Sequence, residues 1–226
     1  MVTTEILNLA PYIEHTFLKP EATQDQIKIL CQEALEFSFK GVCVNSRFVS
    51  LAHSILRGTQ TSVISVIGFP LGACLSEAKR HEALLATNKG AHELDMVINI
   101  GAIKEGLWTF VEDDIRSVCE SVEIPVKVIL ETGLLTNDEI EMACKASENA
   151  GAKFVKTCTG FNIGTATIEN IKLMRSVVSP RVEIKASGGI KTTEQAFALI
   201  AAGASRLGTS SGVQLLTGKS VANQSY

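Results

Sequence analysis

Residues 154–161 read Phe-Val-Lys-Thr-Cys-Thr-Gly-Phe, and this stretch decides how the rest of the chain is interpreted. It follows Gly-Ala at 151–152 and is apolar and β-prone, which predicts a buried strand with Lys156 near its end. A buried ammonium group without a partner is costly, so such a lysine reaches solvent, pairs with an acid or loses its proton. In the last case it becomes an amine nucleophile.

Strands of this kind alternate with helices along the whole chain. The eight predicted strands are residues 9–19, 42–45, 61–69, 91–100, 125–131, 152–157, 181–187 and 204–208. Apolar residues at helical spacing lie between them, and Thr23 with Gln26 and Thr136 with Glu139 form capping-box patterns. Eight alternating units predict a parallel, closed (β/α)8 TIM barrel. We expect one domain over residues 1–226, with a polar, flexible tail at 217–226.

The composition excludes several classes of function. The net charge is −3 and the sequence has no basic block, which argues against nucleic acid or an anionic membrane as a partner. No apolar run approaches the ~20 residues that cross a bilayer. Six cysteines occur without a C-x-x-C pair, and no Cys/His cluster has metal-ligand spacing, so we expect free thiols and neither a metal nor another cofactor. Together with an N-terminus unlike a signal peptide, this predicts a cytoplasmic location.

Polar side chains collect at the predicted carboxyl ends of the strands, where active sites lie in such barrels. Three of them are lysines spaced 29 residues apart, at 127, 156 and 185, and Asp95 ends strand 4. If all three point inward, three ammonium groups face one cavity. The alternative is that each lysine reaches the rim or pairs with Glu131 or Asp95 as a structural ion pair.

Clustered lysines favour a specific chemistry. A second cation near Lys156 penalises its protonated form, which lowers its pKa and leaves a free amine. Such an amine attacks a carbonyl to give a carbinolamine and then a Schiff base, whose iminium accepts electrons from a breaking carbon–carbon bond. Asp95 and Lys185 are the titratable candidates for the accompanying proton transfers.

Two glycine-rich loops predict a phosphate site. Gly188-Gly189 follows strand 7, and Gly208-Thr209-Ser210-Ser211-Gly212 follows strand 8. Loops after strands 7 and 8 commonly hold phosphate in these barrels, because small residues let backbone N–H groups approach the anion. The alternative is that the glycines are ordinary turn residues. Cys43 lacks a neighbouring histidine in sequence, so we interpret it as a pocket-lining residue and not a nucleophile.

Eight motifs give the chain a resemblance to the deoxyribose-phosphate aldolase family over nearly its whole length. They are IEHTFLKPEAT (13–23), GVCVN (41–45), VIGFPLGA (66–73), ELDMVINIGA (93–102), VKVILETGLL (126–135), GAKFVKTCTGF (151–161), IKASGGIKT (184–192) and RLGTSSG (206–212). The resemblance implies a class I aldolase on a (β/α)8 barrel, often a homodimer. Such an enzyme cleaves 2-deoxy-D-ribose 5-phosphate to acetaldehyde and D-glyceraldehyde 3-phosphate without a metal.

The resemblance also implies roles for individual residues. Lys156 would form the Schiff base, Lys185 would tune it, and Asp95 would donate and accept protons. A C-terminal tyrosine transfers a proton in some members, which makes Tyr226 a fourth catalytic candidate. The implied contacts to the substrate or its phosphate are Thr16, Cys43, Thr157, Gly188, Gly189, Gly208, Ser210 and Ser211. The chain departs from the family pattern in having Glu14 where aspartate is usual, and Cys74 and Leu75 where polar residues are usual.

Two other functions compete with the lyase. A phosphosugar epimerase or isomerase would use carboxylates to abstract a proton and would form no covalent adduct. A sugar-phosphate sensor derived from an aldolase would have lost Lys156, Lys185 or Asp95, and all three are present. The excess of lysines over acids at the candidate pocket favours the lyase.

Overall fold

The computed structural model describes residues 8–218, which form a closed barrel of eight parallel strands. Each strand pairs with the next along the chain, and the first pairs with the last. The strands are β1 (Ile13–Phe17), β2 (Gly41–Val44), β3 (Ser62–Ile67), β4 (Glu93–Val97), β5 (Val126–Ile129), β6 (Phe154–Lys156), β7 (Glu183–Ser187) and β8 (Arg206–Thr209). The predicted TIM barrel is therefore confirmed, and all eight predicted strands are present.

Helices follow every strand and cover the barrel. They are α1 (Gln24–Glu36), α2 (Val49–Leu56), α3 (Ser76–Asn88), α4 (Ile100–Lys104), α5 (Trp108–Cys119), α6 (Asn137–Asn149), α7 (Ile168–Val177), α8 (Thr193–Ala201) and α9 (Gly212–Thr217). Both predicted capping boxes form, at Thr23 and Thr136, and a third forms at Thr192. No helix within residues 8–218 combines the length and the apolarity that crossing a bilayer requires.

The apolar residues form two separate clusters. The larger one lies between the strands and the helices and includes Val42, Val63, Val128 and Val155, all fully buried. The smaller one fills the barrel interior on the side of β1 to β3 and consists of Leu18, Cys43, Ile64 and Val66, with Phe69 packed against it. The rest of the interior, on the side of β4 to β8, is therefore available for charged side chains.

Two local predictions were wrong. The predicted first strand, 9–19, is shortened because residues 10–12 form a short 3₁₀ helix that contains Pro11. In this helix the Tyr12 amide donates a hydrogen bond to the Leu9 carbonyl. The predicted fourth strand, 91–100, is also too long, because β4 ends at Val97 and α4 begins at Ile100. The Asn99 side chain caps that helix by accepting a hydrogen bond from the Ala102 amide at 3.0 Å.

Candidate active site

Strand register places the three lysines at two different depths. Lys156 pairs with Lys185, and their neighbour on β5 is Ile129, not Lys127. Lys127 lies two residues deeper, opposite Phe154, whose ring its ammonium group approaches to 5.4 Å. Equal spacing along the sequence therefore does not place the lysines at equivalent strand positions, although all three point inward and are buried.

All three ammonium groups meet on the carboxylate of Asp95. Its Oδ2 accepts hydrogen bonds from Lys156 at 2.8 Å and Lys185 at 2.6 Å, and its Oδ1 accepts one from Lys127 at 3.0 Å. Burial alone would raise the pKa of Asp95, but the three lysines overcome it and hold the pKa well below its ordinary value. Asp95 is thus an ionised carboxylate in a fully buried position.

Glu14 is the second carboxylate of this cluster. It pairs directly with Lys185 and lies 3.6 Å from Lys127 and 3.7 Å from Arg206. Burial opposes ionisation of Glu14, yet Lys127 and Lys185 lower its pKa. Burial lowers the pKa of Lys127 and of Lys185, but the charges of Asp95 and Glu14 outweigh burial and raise both pKa values. Lys185 is therefore held as a cation by two acids.

A cavity of about 530 Å³ opens above this cluster at the carboxyl ends of the strands. Lys156 lines it and is only 3% exposed, whereas Asp95 and Lys185 lie beneath it with no exposure at all. A molecule in the cavity therefore meets the ammonium group of Lys156 before the other groups of the cluster.

Most of the predicted binding residues line this cavity. Those that do so are Thr16, Gly188, Gly189, Gly208, Ser210 and Ser211. Tyr226 lies outside the described residues.

Two predicted contacts lie behind the cavity wall. The Cys43 thiol is 3.9 Å from Asp95, and burial raises the pKa of Cys43 to about 11, in keeping with its interpretation as a residue that is not a nucleophile. The Thr157 hydroxyl donates to the Ser187 carbonyl at 2.7 Å and accepts from the Ser187 amide at 2.9 Å. Thr157 thereby supports Ser187, which lines the cavity, and a contact of Cys43 or Thr157 to a substrate stays a prediction.

The structure adds cavity residues that sequence reasoning missed. They are Leu18, Lys19, Thr159, Gly160, Phe161, Asn162, Gly164, Thr165, Ile190 and Lys191. Lys191 carried a detectable signal, because it is a cation two residues after the Gly188-Gly189 pair. The contribution of 159–165 had no such signal, since it depends on how that loop folds back over the barrel.

The loops after β7 and β8 are tied together. The Thr209 hydroxyl donates to the Ile190 carbonyl at 2.9 Å and accepts from the Ser211 amide at 2.9 Å. Gly189 has a φ of +73°, and a Cβ there would lie 2.5 Å from the Thr165 methyl group, so glycine is required at this position. Within residues 8–218, no group of three or more His, Cys, Asp and Glu side chains could hold a metal ion.

Comparison with known proteins gives one consistent result. The family model described as DeoC/LacD family aldolase matches residues 11–218. A deoxyribose-phosphate aldolase from Brevibacillus brevis is 51% identical over 221 residues, covering 97% of this chain and all of the relative. A crystal structure from Coccidioides immitis is 45% identical with a TM-score of 0.92, covering 95% of this chain and 86% of that one.

A tetrameric deoxyribose phosphate aldolase from Aeropyrum pernix is more distant. It is 32% identical with a TM-score of 0.83, and the match covers 92% of this chain and 89% of that one. The family model spans nearly all of the described barrel, including every strand and the whole lysine cluster. The chain belongs to the DeoC/LacD family of aldolases.

Proposed function

We propose that this protein is a class I aldolase that reversibly cleaves 2-deoxy-D-ribose 5-phosphate to D-glyceraldehyde 3-phosphate and acetaldehyde. The observation that carries the proposal is the position of Lys156. Its Nζ reaches a cavity of substrate size and lies 2.8 Å from a carboxylate that also binds Lys185. An amine, an acid–base group and a second cation thus lie within hydrogen-bond reach of one another.

The ion pairs of the cluster are shared unevenly among its lysines. Four cations, namely Lys127, Lys156, Lys185 and Arg206, pair with four carboxylates, those of Glu14, Glu93, Asp95 and Glu183. Lys127 and Lys185 each contact two or more of these acids, whereas Lys156 contacts Asp95 alone. Lys156 is therefore the lysine of the cluster with the fewest ion pairs, and it is also the one that lines the cavity.

The reaction then follows from these positions. The Lys156 amine attacks C1 of the open-chain sugar phosphate, a proton reaches the carbinolamine oxygen, and water leaves to form the iminium. The C2–C3 bond breaks with its electron pair moving toward the iminium, while the C3 hydroxyl loses its proton and becomes the aldehyde of D-glyceraldehyde 3-phosphate. Protonation of the enamine carbon and hydrolysis release acetaldehyde and free Lys156. Asp95 moves protons at the reacting nitrogen and oxygen, and Lys185 stabilises Asp95 as the anion between these steps.

The phosphate of the substrate occupies the opposite end of the cavity in this proposal. Gly188, Gly189, Gly208, Ser210 and Ser211 provide backbone amides and hydroxyl groups without bulky side chains. Lys19 and Lys191 also line the cavity and add positive charge. An anionic substrate is thereby held at one end while its carbonyl carbon reaches Lys156 at the other.

The lining also separates the lyase from the isomerase alternative. Among the cavity-lining residues of the described chain there is no aspartate or glutamate. A carboxylate that abstracts a proton from a sugar carbon must lie within hydrogen-bond reach of it. Since Asp95 and Glu14 lie beneath the cavity in contact with lysines, the geometry favours covalent chemistry at Lys156.

Three further features belong to the proposal. Tyr226 transfers a proton at the enamine carbon, the protein is cytoplasmic, and it assembles as a homodimer. The Aeropyrum pernix relative is a tetramer, so the oligomeric state of this chain needs its own measurement. Light scattering on the purified protein gives the oligomeric state, and a mass other than twice that of the 24.2 kDa chain would contradict the dimer. Truncation before Tyr226 is expected to slow proton exchange into acetaldehyde. An unchanged exchange rate would show that Tyr226 does not transfer this proton.

Borohydride reduction in the presence of acetaldehyde tests the central step. We expect one ethyl group on Lys156, located by peptide mass spectrometry, and loss of both label and turnover in Lys156→Ala. Lys153→Ala is the matched control, because Lys153 precedes the same strand but is exposed. Turnover of 2-deoxy-D-ribose 5-phosphate without any trapped adduct, or an unlabelled Lys156, would refute the mechanism.

A further inference from the structure

Glu131 is a buried carboxylate that the proposed reaction does not use. It lies two residues after the end of β5 and is fully buried. Its φ of 59° and ψ of 56° are the left-handed conformation, which non-glycine residues adopt at a cost of roughly 1–2 kcal/mol. Neither burial nor this backbone conformation suits a glutamate, so the contacts of its side chain must compensate for both.

Those contacts all go to one turn after β6. Glu131 Oε1 accepts a hydrogen bond from the Thr159 amide at 3.2 Å. Its Oε2 accepts one from the Thr159 hydroxyl at 2.5 Å and another from Asn162 Nδ2 at 2.9 Å. The Thr159 hydroxyl in turn accepts from the Phe161 amide at 3.1 Å. One carboxylate therefore organises the whole of residues 159–162.

The turn so held is a wall of the substrate cavity. Thr159, Gly160, Phe161 and Asn162 all line it, beginning three residues after Lys156. Further along the same loop, the Ala166 amide donates to the Gly188 carbonyl at 2.9 Å. A shift of residues 159–166 would consequently move the first glycine of the proposed phosphate loop as well.

A second contact supports the same wall from the same side. Gly133, two residues after Glu131, packs so closely that a Cβ on it would lie 2.0 Å from the Ile163 carbonyl oxygen. The loop after β5 therefore holds the loop after β6 at two points, one polar and one by backbone packing.

We propose that Glu131 is a positioning residue that sets the affinity of the site for the phosphorylated substrate by fixing this wall. The inference rests on the proposed aldolase function for the identity of the substrate. Glu131 does not act on the amine chemistry itself, since its carboxylate is bonded to the turn and not to the lysine cluster. A two-carbon aldehyde at Lys156 does not need the wall, whereas a five-carbon sugar phosphate does.

Only a carboxylate satisfies the three donors. Glutamine offers one acceptor oxygen and directs an N–H group either at the Thr159 amide or at the Thr159 hydroxyl and Asn162. Glu131→Gln thus keeps the size of the side chain and removes the pattern of acceptors. The double variant Glu131→Gln/Asn162→Asp exchanges the amide and the carboxylate, which restores one donor for each acceptor.

The functional experiment compares both variants with wild type and with Glu141→Gln, an exposed control on α6. For Glu131→Gln we expect the KM for 2-deoxy-D-ribose 5-phosphate to rise about tenfold or more. Borohydride trapping of acetaldehyde at Lys156 should stay within about twofold of wild type. In the double variant KM should recover most of the way. Equal losses in trapping and in kcat, or a KM unchanged from wild type, would overturn the proposal.

Hydrogen exchange provides a second readout that does not depend on the reaction. The Thr159 and Phe161 amides should exchange faster in Glu131→Gln than in wild type, and the double variant should slow them again. Unchanged exchange at both amides would refute the positioning role even if the enzyme is an aldolase. Conversely, a wild-type protein that traps no acetaldehyde would refute the proposed function, and the exchange rates would still decide whether Glu131 holds the wall.

Discussion

Replacing Asp95 by asparagine removes one charge from the buried cluster and keeps the shape of the side chain. In wild type the carboxylate accepts hydrogen bonds from Lys127, Lys156 and Lys185 at 2.6–3.0 Å. Without it, the four cations of the cluster face three carboxylates instead of four, and the amide can accept through only one oxygen. Removing one partner of a buried ion pair costs about 3–5 kcal/mol, so we expect the free energy of unfolding to fall by that amount.

The catalytic loss should exceed what destabilisation explains. A positioned acid–base group contributes roughly 10²–10⁴-fold to the rate, and we expect kcat for cleavage of 2-deoxy-D-ribose 5-phosphate to fall by that factor. Asp114→Asn is the matched control, because Asp114 is also buried and pairs with a buried lysine, Lys79 at 2.5 Å, away from the cavity. Urea unfolding and a coupled assay for D-glyceraldehyde 3-phosphate measure both quantities for the two variants.

The pH dependence checks the electrostatic part of the reasoning. Burial would raise the pKa of Asp95, but the lysines hold it well below the ordinary value of 3.8. The contribution of ionised Asp95 to the free energy of unfolding is therefore complete above pH 3.8 and is lost as the pH falls through the pKa of the folded state. The stability difference between wild type and Asp95→Asn should therefore be largest at about pH 5–9 and narrow below pH 3.8. A variant that stays within about tenfold of wild-type kcat, or a stability difference that widens in acid, would refute this interpretation of Asp95.

Three other predictions test separate parts of the molecule. Gly189→Ala forces a side chain into a position with φ +73° and 2.5 Å from the Thr165 methyl group. It should raise the KM for the phosphosugar about tenfold or more while acetaldehyde trapping persists, and normal kinetics would contradict the tight contact. The thiol reagent DTNB should modify Cys74 first because it is the exposed cysteine, and Cys74→Ser should abolish the fast phase. Burial lowers the pKa of His92, whose Nδ1 accepts a hydrogen bond from the Val63 amide at 2.9 Å. The contribution of His92 to the free energy of unfolding is therefore complete above about pH 6.5 and is lost as the pH falls below that value. His92→Asn keeps an acceptor there, and its unfolding free energy should fall less than that of wild type between pH 7.5 and 5.5; an equal fall would exclude His92 as a source of acid sensitivity.

The fold was readable from the sequence because local signals repeat in every unit. Apolar spacing, capping boxes and the Gly-Ala pairs before strands depend on residues a few positions apart, and they predicted all eight strands and the closed barrel. Boundaries were less predictable where a local preference interrupted the pattern. Pro11 fixes its own φ and turns the chain before β1, and the Asn99 cap starts a helix across Gly101.

The site was predictable in its members but not in its depth. Sequence spacing treats Lys127, Lys156 and Lys185 as equivalent, yet strand register sets Lys127 one layer lower, where Glu93 and Asp95 hold it. Register in a barrel depends on the stagger between neighbouring strands, and the number of residues between two strand positions does not reveal that stagger. For the same reason the contacts of Glu131 could not be predicted, because the turn that it binds lies 28 residues away along the chain.

Gly208 shows why a motif residue can carry a role that its motif does not suggest. Its place in a glycine-serine loop predicts a contact to phosphate, and it does line the cavity. In the barrel it also lies between Glu14 on β1 and Ser187 on β7, and a Cβ there would lie 2.9 Å from Lys185 Cε. The space above Gly208 is what lets Lys185 reach Glu14 across an intervening strand. The side chain of Glu14 spans that gap, so the glutamate at residue 14 and the glycine at 208 are parts of one arrangement that keeps Lys185 charged beside Asp95.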